Sequence, residues 1–274
     1  MLAIFIVTIV SLTAIAYIGF KPRYVQYKRR QIAKQAFPSQ WRQILKRRMP
    51  FFRALPTDLQ LQLKKQIKIF LAEKQFIGCQ GLTITDEIRV TIAAQACLLL
   101  LNRHTNYYPK LKQILVYPSL FIVNNQQQNA DGVIWERQHL LSGESWEYGK
   151  VVLSWHTAVE DAAEPYDGHN VVIHEFAHQL DQEDGHSNGA PILENHKDYA
   201  AWSAVMNQEF AALQACARQQ LPSIFNYYGA TNPAEFFAVI TETFFEKPHQ
   251  FYEHHQALYQ QMSHFFKLDP VNWQ

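Results

Sequence analysis

The chain has 274 residues, 48% of them hydrophobic and 14% aromatic, so it can bury a substantial core and is not a largely disordered segment. Its formal net charge of +1 hides a polarity: eleven Lys/Arg precede the first acidic residue, Asp58, and the rest carries fourteen Lys/Arg against twenty-four Asp/Glu. A basic face spread over the fold is therefore absent, which argues against direct nucleic-acid binding.

Residues Leu2–Phe20 are almost wholly apolar, and at about 1.5 Å per residue in a helix they nearly match the thickness of a bilayer core. Positive charge follows the run (Lys21, Arg23, Lys28, Arg29, Arg30, Lys34) and none precedes it, which is not the pattern of a cleaved signal peptide. By the positive-inside rule the expectation is a transmembrane anchor over 1–20 and a basic juxtamembrane segment over 21–56 against anionic lipid. A domain over 57–274 would then face the cytoplasm from an inner membrane. An ordinary buried helix in a soluble cytoplasmic chain is the alternative. The cysteines, Cys79, Cys97 and Cys216, are odd in number and form no CxxC pair, so neither a disulfide framework nor a cysteine metal site is expected.

Further along, Thr57–Gln75 places Leu59, Leu63, Ile67 and Phe70 at helical spacing, and Asp86–Leu101 reads as a more completely apolar, central helix. Ile114–Val123 reads as a strand broken near Pro118, and Val133–Arg137 and Val151–Trp155 read as further strands. Gln126–Gln128 reads as a polar loop and 129–132 as a turn. From Gly168 onward the pattern is helical: Val171–Asp181, then Lys197–Gln219, Pro233–Phe245 and His249–Phe266. A small mixed sheet followed by helices implies an α+β fold, mainly helical.

Within Val171–Asp181 stands His174-Glu175-Phe176-Ala177-His178. Histidines four apart project from one face of a helix and can grip a single tetrahedral ion. Glu175, about 100° around the helix, can reach a water on that ion without ligating it, the position of a general base. A third protein ligand is needed. Asp181, Asp184, His186, Glu194 and Glu209 are candidates on distance along the chain. Asp181 is better placed to hydrogen-bond a ligand ring N–H than to ligate. Glu235 is the strongest candidate, because it shares a face with Val239 and Glu242 in an otherwise apolar helix, where carboxylates are costly unless something positive meets them. Glu242 would then support a ligand ring. As the third residue after Asn232, Glu235 also fits a plain capping box.

Asn170–Asp181 together with Tyr228 and Pro233–Phe245 resembles the Mlc titration factor A family of zinc peptidases; Leu115–Pro118, Ser145-Trp146 and Val151–Trp155 are similar to that family too. The resemblance runs from about Phe37 to Pro270. It implies a zincin-like fold and one Zn2+ held by His174, His178 and Glu235, a centre like that of anthrax lethal factor. It also implies Glu175 as base and Tyr228 pointing into the site, although Tyr227 stands beside it. It further implies aminopeptidase action on peptide substrates and binding of a transcriptional repressor that controls sugar uptake. A non-catalytic repressor-binding module with a structural zinc is the alternative. Val151–Trp155 is either an edge strand for an extended peptide or a core strand.

Overall fold

The computed structural model describes residues 2–119, 121–128, 134–141, 143–146 and 149–273. The turn expected over 129–132 lies outside the described residues. In chain order the elements are α1 (Leu2–Lys34), α2 (Ser39–Arg48), α3 (Thr57–Glu73), β1 (Gln75–Gly78), α4 (Asp86–Leu98), β2 (Gln113–Tyr117), β3 (Phe121–Gln128), β4 (Ile134–Leu141), β5 (Gly143–Trp146) and β6 (Lys150–Ser154). Helices follow: α5 (Trp155–Ala163), α6 (Val171–Asp181), α7 (Asp198–Gln219), α8 (Pro233–Glu246), α9 (Pro248–His254) and α10 (Gln256–Phe266).

The sheet runs β1-β2-β6-β5, with β1, β2 and β6 parallel and β5 antiparallel on β6. Gln113 faces Gln75 on one side and Lys150 on the other. Parallel neighbours need a crossover, and α4 supplies the one between β1 and β2. Strands β3 and β4 form a separate antiparallel pair, so Gln126–Gln128 is strand and not loop. Pro118 falls just past the end of β2, where a missing N–H costs the ladder nothing. Val151–Ser154 is interior to the sheet and Trp155 begins α5; the edge strands are β1 and β5.

Two expectations are corrected here. The architecture is mainly helical around a small sheet in which three strands, β1, β2 and β6, run parallel, not an α+β fold led by a spanning segment. Among the described residues no helix is long and apolar enough to cross a membrane. The transmembrane anchor, the membrane association and the single-pass inner-membrane localisation that rested on it fall together. The physical reason lies in α1 itself, which does not stop where its apolar run ends. It continues without a break through Pro22 and the cations to Lys34, and its basic half joins the domain. Arg29 is buried, donating to both carboxylate oxygens of Glu73 at 2.7 and 2.9 Å and lying 4.7 Å over the Tyr107 ring. Lys68 on α3 donates to the carbonyls of Ala33, at 2.8 Å, and Gln35.

Helix α6 is buried along nearly its whole length. Its inner face is pinned by Phe176, whose ring centre lies 4.9 Å from Tyr108 and 5.7 Å from Phe70. The Tyr108 hydroxyl donates to the Ala96 carbonyl at 2.6 Å, which ties this aromatic cluster to α4. Beyond α6 the chain turns back through Gly189, which adopts φ +74°. The Gly189 N–H donates to Asp181 at 2.9 Å, and its carbonyl accepts from the Trp202 indole at 3.2 Å. A Cβ there would stand 2.4 Å from the Pro233 carbonyl oxygen, at the first turn of α8. Gly189→Ala must therefore shift the loop or the start of α8, besides forcing alanine into a left-handed backbone. We expect a loss of about 1–3 kcal/mol by denaturant unfolding. An unchanged midpoint would show that the loop yields freely.

Candidate metal centre

Two helix starts build the site. Asn170 caps α6 by accepting the Ile173 N–H at 3.0 Å, and Asn232 caps α8 by accepting the Glu235 N–H at 3.0 Å, with Pro233 in the first turn. The expected capping box is thus half used: the Glu235 carboxylate turns toward the histidines. His174 Nε2 and His178 Nε2 lie 3.2 Å apart, and Glu235 Oε2 is 3.0 Å from the first and 3.3 Å from the second. Donors about 2.0–2.2 Å from one tetrahedral ion stand roughly 3.3–3.5 Å from each other, so this triangle is close to the size a single divalent cation demands. Among the described residues, these three form the group able to hold a metal.

The electrostatics agree with a cation there. Burial works against charge on the His174 ring, but hydrogen bonds to Glu235 and Glu242 outweigh it and draw positive charge onto the ring. Burial would likewise raise the Glu235 carboxyl, yet bonds from His174 and His178 hold it well below the usual carboxylate range. Glu242 Oε1 lies 2.7 Å from His174 Nδ1. A carboxylate only accepts, so Nδ1 carries the proton and Nε2 is left to face the metal position. The other Glu242 oxygen accepts the Asn170 N–H at 2.6 Å, so one side chain of α8 fixes both the ring and the start of α6.

Glu175 is buried and lines a cleft of about 280 Å³ together with His174, Tyr228, Asp161, Asn226 and Glu242. Tyr228 sits on a short 3₁₀ turn, Tyr227–Ala230, whose first N–H groups are met by Asn226. Its ring centre is 5.9 Å from that of His174. Burial, the charge of Glu235 and a hydrogen bond with it push the Tyr228 phenol up to about 12, so it stays a donor at neutral pH. The neighbouring Tyr227 instead donates to the Leu221 carbonyl. Gly229 gives the turn its close seat, since a Cβ there would lie 3.2 Å from Val239 and 3.3 Å from Leu213.

The remaining candidates lie elsewhere. Asp181 Oδ2 accepts the Gly189 N–H at 2.9 Å, and His178 lies near enough to act on its charge. Asp184 accepts the His186 N–H in its own loop, Glu194 pairs with Lys267, and Glu209 lies 2.7 Å from His255. Sequence reasoning missed a cluster of carboxyls around the start of α6. Asp161 accepts the Val171 N–H at 2.7 Å, and Glu246 accepts from Asn170 Nδ2 at 3.0 Å and from the Gly168 N–H at 3.1 Å. Asn170 was legible as a cap from its place before an apolar run. Asp161 was not, because it reaches α6 from a separate helix.

Comparisons with known proteins come to the same place. Residues 24–267 match the family described as glucose-regulated metallo-peptidase M90. The chain is 42% identical over 273 residues to an uncharacterized protein of Synechocystis sp., covering 99% of each. It is 32% identical over 235 residues to Mlc titration factor A of Klebsiella pneumoniae, covering 84% of this chain and 86% of that one. It is also 32% identical over 242 residues to Mlc titration factor A of Yersinia pestis, with 85% and 86% covered. The chain belongs to the glucose-regulated metallo-peptidase M90 family, to which the Mlc titration factor A resemblance had pointed.

Two expectations follow from this geometry. Glu242→Gln leaves the ring N–H and the Asn170 N–H competing for a single carbonyl oxygen, and metal affinity should fall about 10–100-fold in a chelator competition; unchanged affinity would remove Glu242 from the support of the site. The Glu246 carboxyl is pushed up to about 9 by burial, with Asp167 and Glu242 adding negative charge nearby. Its folded value lies above its unfolded one, so its contribution is complete below about pH 4.5 and is lost as pH rises toward 9. The stability of the wild-type apo-protein relative to Glu246→Gln should therefore decline over that window in urea unfolding. A flat difference would show that Glu246 is ionised in the fold.

Proposed function

We propose that this protein is a zinc-dependent aminopeptidase in which Glu175 is the general base and Tyr228 the donor to the carbonyl oxygen. The observation that carries this reading is the convergence of His174, His178 and Glu235 on one point at the wall of a cleft that Glu175 and Tyr228 also line. Two imidazole nitrogens and one carboxylate oxygen are a donor set suited to zinc. When bound, zinc would supply Lewis-acid activation of a water and of the scissile carbonyl.

The chain's own groups divide the rest of the work. The Glu175 carboxylate takes the proton of the attacking water and returns it to the departing amine. The Tyr228 phenol, still protonated at neutral pH, donates to the carbonyl oxygen as negative charge gathers on it. Glu242 keeps the His174 ring from rotating. Strand β5, at the sheet edge and packed beside α6, offers its outer backbone to an extended peptide.

A second reading has one observation in its favour: relatives at 32% identity are named Mlc titration factor A. Under it, the same chain would bind a transcriptional repressor of the Mlc kind, with or without hydrolysis. The first reading is tested by metal analysis of the full chain with assays on short peptides, the second by whether the full chain binds such a repressor in solution. We expect one zinc per chain and cleavage of peptides with a free, but not a blocked, amino terminus. Glu175→Gln should keep the zinc and lose at least about 100-fold in turnover. Hydrolysis that survives Glu175→Gln with zinc bound would overturn the mechanism, and equal cleavage of blocked peptides would overturn the aminopeptidase assignment.

A further inference from the structure

Besides Tyr228, the titratable side chains lining the metal cleft are Asp161, His169, His174, Glu175 and Glu242, and no Lys or Arg stands among its walls. Most of these groups are already engaged. His174 faces the metal position, and Glu175 is the base of the proposed reaction. One Glu242 oxygen lies on the His174 ring and the other accepts the Asn170 N–H. Asp161 is engaged only in part. It comes from α5, which packs beside α6, and its Oδ2 accepts the Val171 N–H at 2.7 Å. Its Oδ1 has no hydrogen-bond partner among the described residues, and it is open to solvent rather than sealed in the core.

Val171 stands one turn before His174, and side chains on a helix lean toward its N-terminus. The open oxygen of Asp161 and the metal position therefore lie at the same end of α6. Within one cleft the two places differ in sign. The point between His174, His178 and Glu235 takes a divalent cation, which attracts the oxygen of a carbonyl. Asp161 sits in negative surroundings: burial pushes its carboxyl up to about 7, and Glu242, Asp167 and Glu160 add negative charge against the Val171 N–H that lowers it. A cation beside Asp161 relieves that repulsion and restores its charge. The first residue of an unblocked peptide carries both halves of this pattern, an ammonium and, two bonds away, a carbonyl. A carboxy terminus brought to the same place meets repulsion.

We propose that Asp161 is the residue that selects a free amino terminus, its Oδ1 accepting from the substrate's α-ammonium while the first carbonyl lies at the metal position. The inference rests on the peptidase reading above and deepens it, by naming the group that makes the cleft specific for an amino terminus.

The test is isothermal titration of the zinc-supplemented full chain carrying Glu175→Gln, in which bound peptide is not consumed. The ligands are trialanine amide, its N-acetyl derivative and the analogue whose terminal amine is replaced by a hydroxyl. The free peptide is expected to bind at least about tenfold tighter than either neutral form, as a charge-assisted hydrogen bond supplies. Adding Asp161→Asn keeps an acceptor for the Val171 N–H and removes the charge. It should bring the free peptide to the level of the acetylated one and leave the acetylated one unchanged. The hydroxyl analogue needs no second variant and serves if Asp161→Asn fails to fold. Equal binding of free and neutral peptides, a preference that survives Asp161→Asn, or no saturable binding of the free peptide would each overturn the proposal. Turnover by an Asp161→Asn chain that keeps the wild-type preference for free peptides sinks the role of Asp161 alone. Absence of turnover in the wild type with the binding pattern intact sinks the peptidase reading alone.

Discussion

The arrangement depends on one carboxylate bridge between two helices. Glu242 of α8 reaches across to α6 and holds the His174 ring with one oxygen and the Asn170 N–H with the other. Burying a carboxylate is unfavourable unless it is met by donors, and here the donors are a ligand ring and the first turn of the helix that carries both histidines. The same bridge sets the separation of α6 from α8, and with it the distance from the histidines to Glu235. Metal position, ring orientation and helix packing are therefore one constraint. The aromatic cluster at Phe176 restrains α6, and the Gly189 loop against Pro233 restrains the start of α8.

Around that bridge lies an excess of acid. Asp161, Glu242 and Glu246 all point their oxygens at backbone or side-chain N–H groups at the start of α6. A helix start is positive in character and lowers the cost of gathering them. Burial, with Glu242, Asp167 and Glu160 adding negative charge nearby, still pushes Asp161 up to about 7 against the Val171 N–H that lowers it. The carboxyls beside the histidines and those at the start of α6 thus share one polar seam through an apolar core.

Much of the site was legible because its chemistry is written in short spacings. His174, Glu175 and His178 lie within five residues, and a helix converts that spacing into a common face. Glu235 and Glu242 were legible for a different reason: they are acidic positions in a helix otherwise fit for burial. Tyr228 could not be separated from Tyr227 by sequence, since only the 3₁₀ turn and the Leu221 carbonyl distinguish them. Asp161 and Glu246 went unread because their roles arise from long-range return of the chain. The N-terminal run misled for a related reason. Hydropathy read Leu2–Phe20 by itself, whereas the helix runs on to Lys34 and docks through Arg29 on Glu73, a pairing 44 residues apart that no local window contains. Of the parallel strands, β2 and β6 were individually visible, but β1 was not read at all and the order was not legible; β6 proved interior.

The central claim is that His174, His178 and Glu235 hold one divalent ion between two helices. Anomalous diffraction from crystals of the zinc-loaded full chain tests it most directly. The account predicts a single strong peak bonded to Nε2 of both histidines and to a Glu235 oxygen, at about 2.0–2.2 Å from each. A peak at any other set of side chains, or none at stoichiometric zinc, would contradict it.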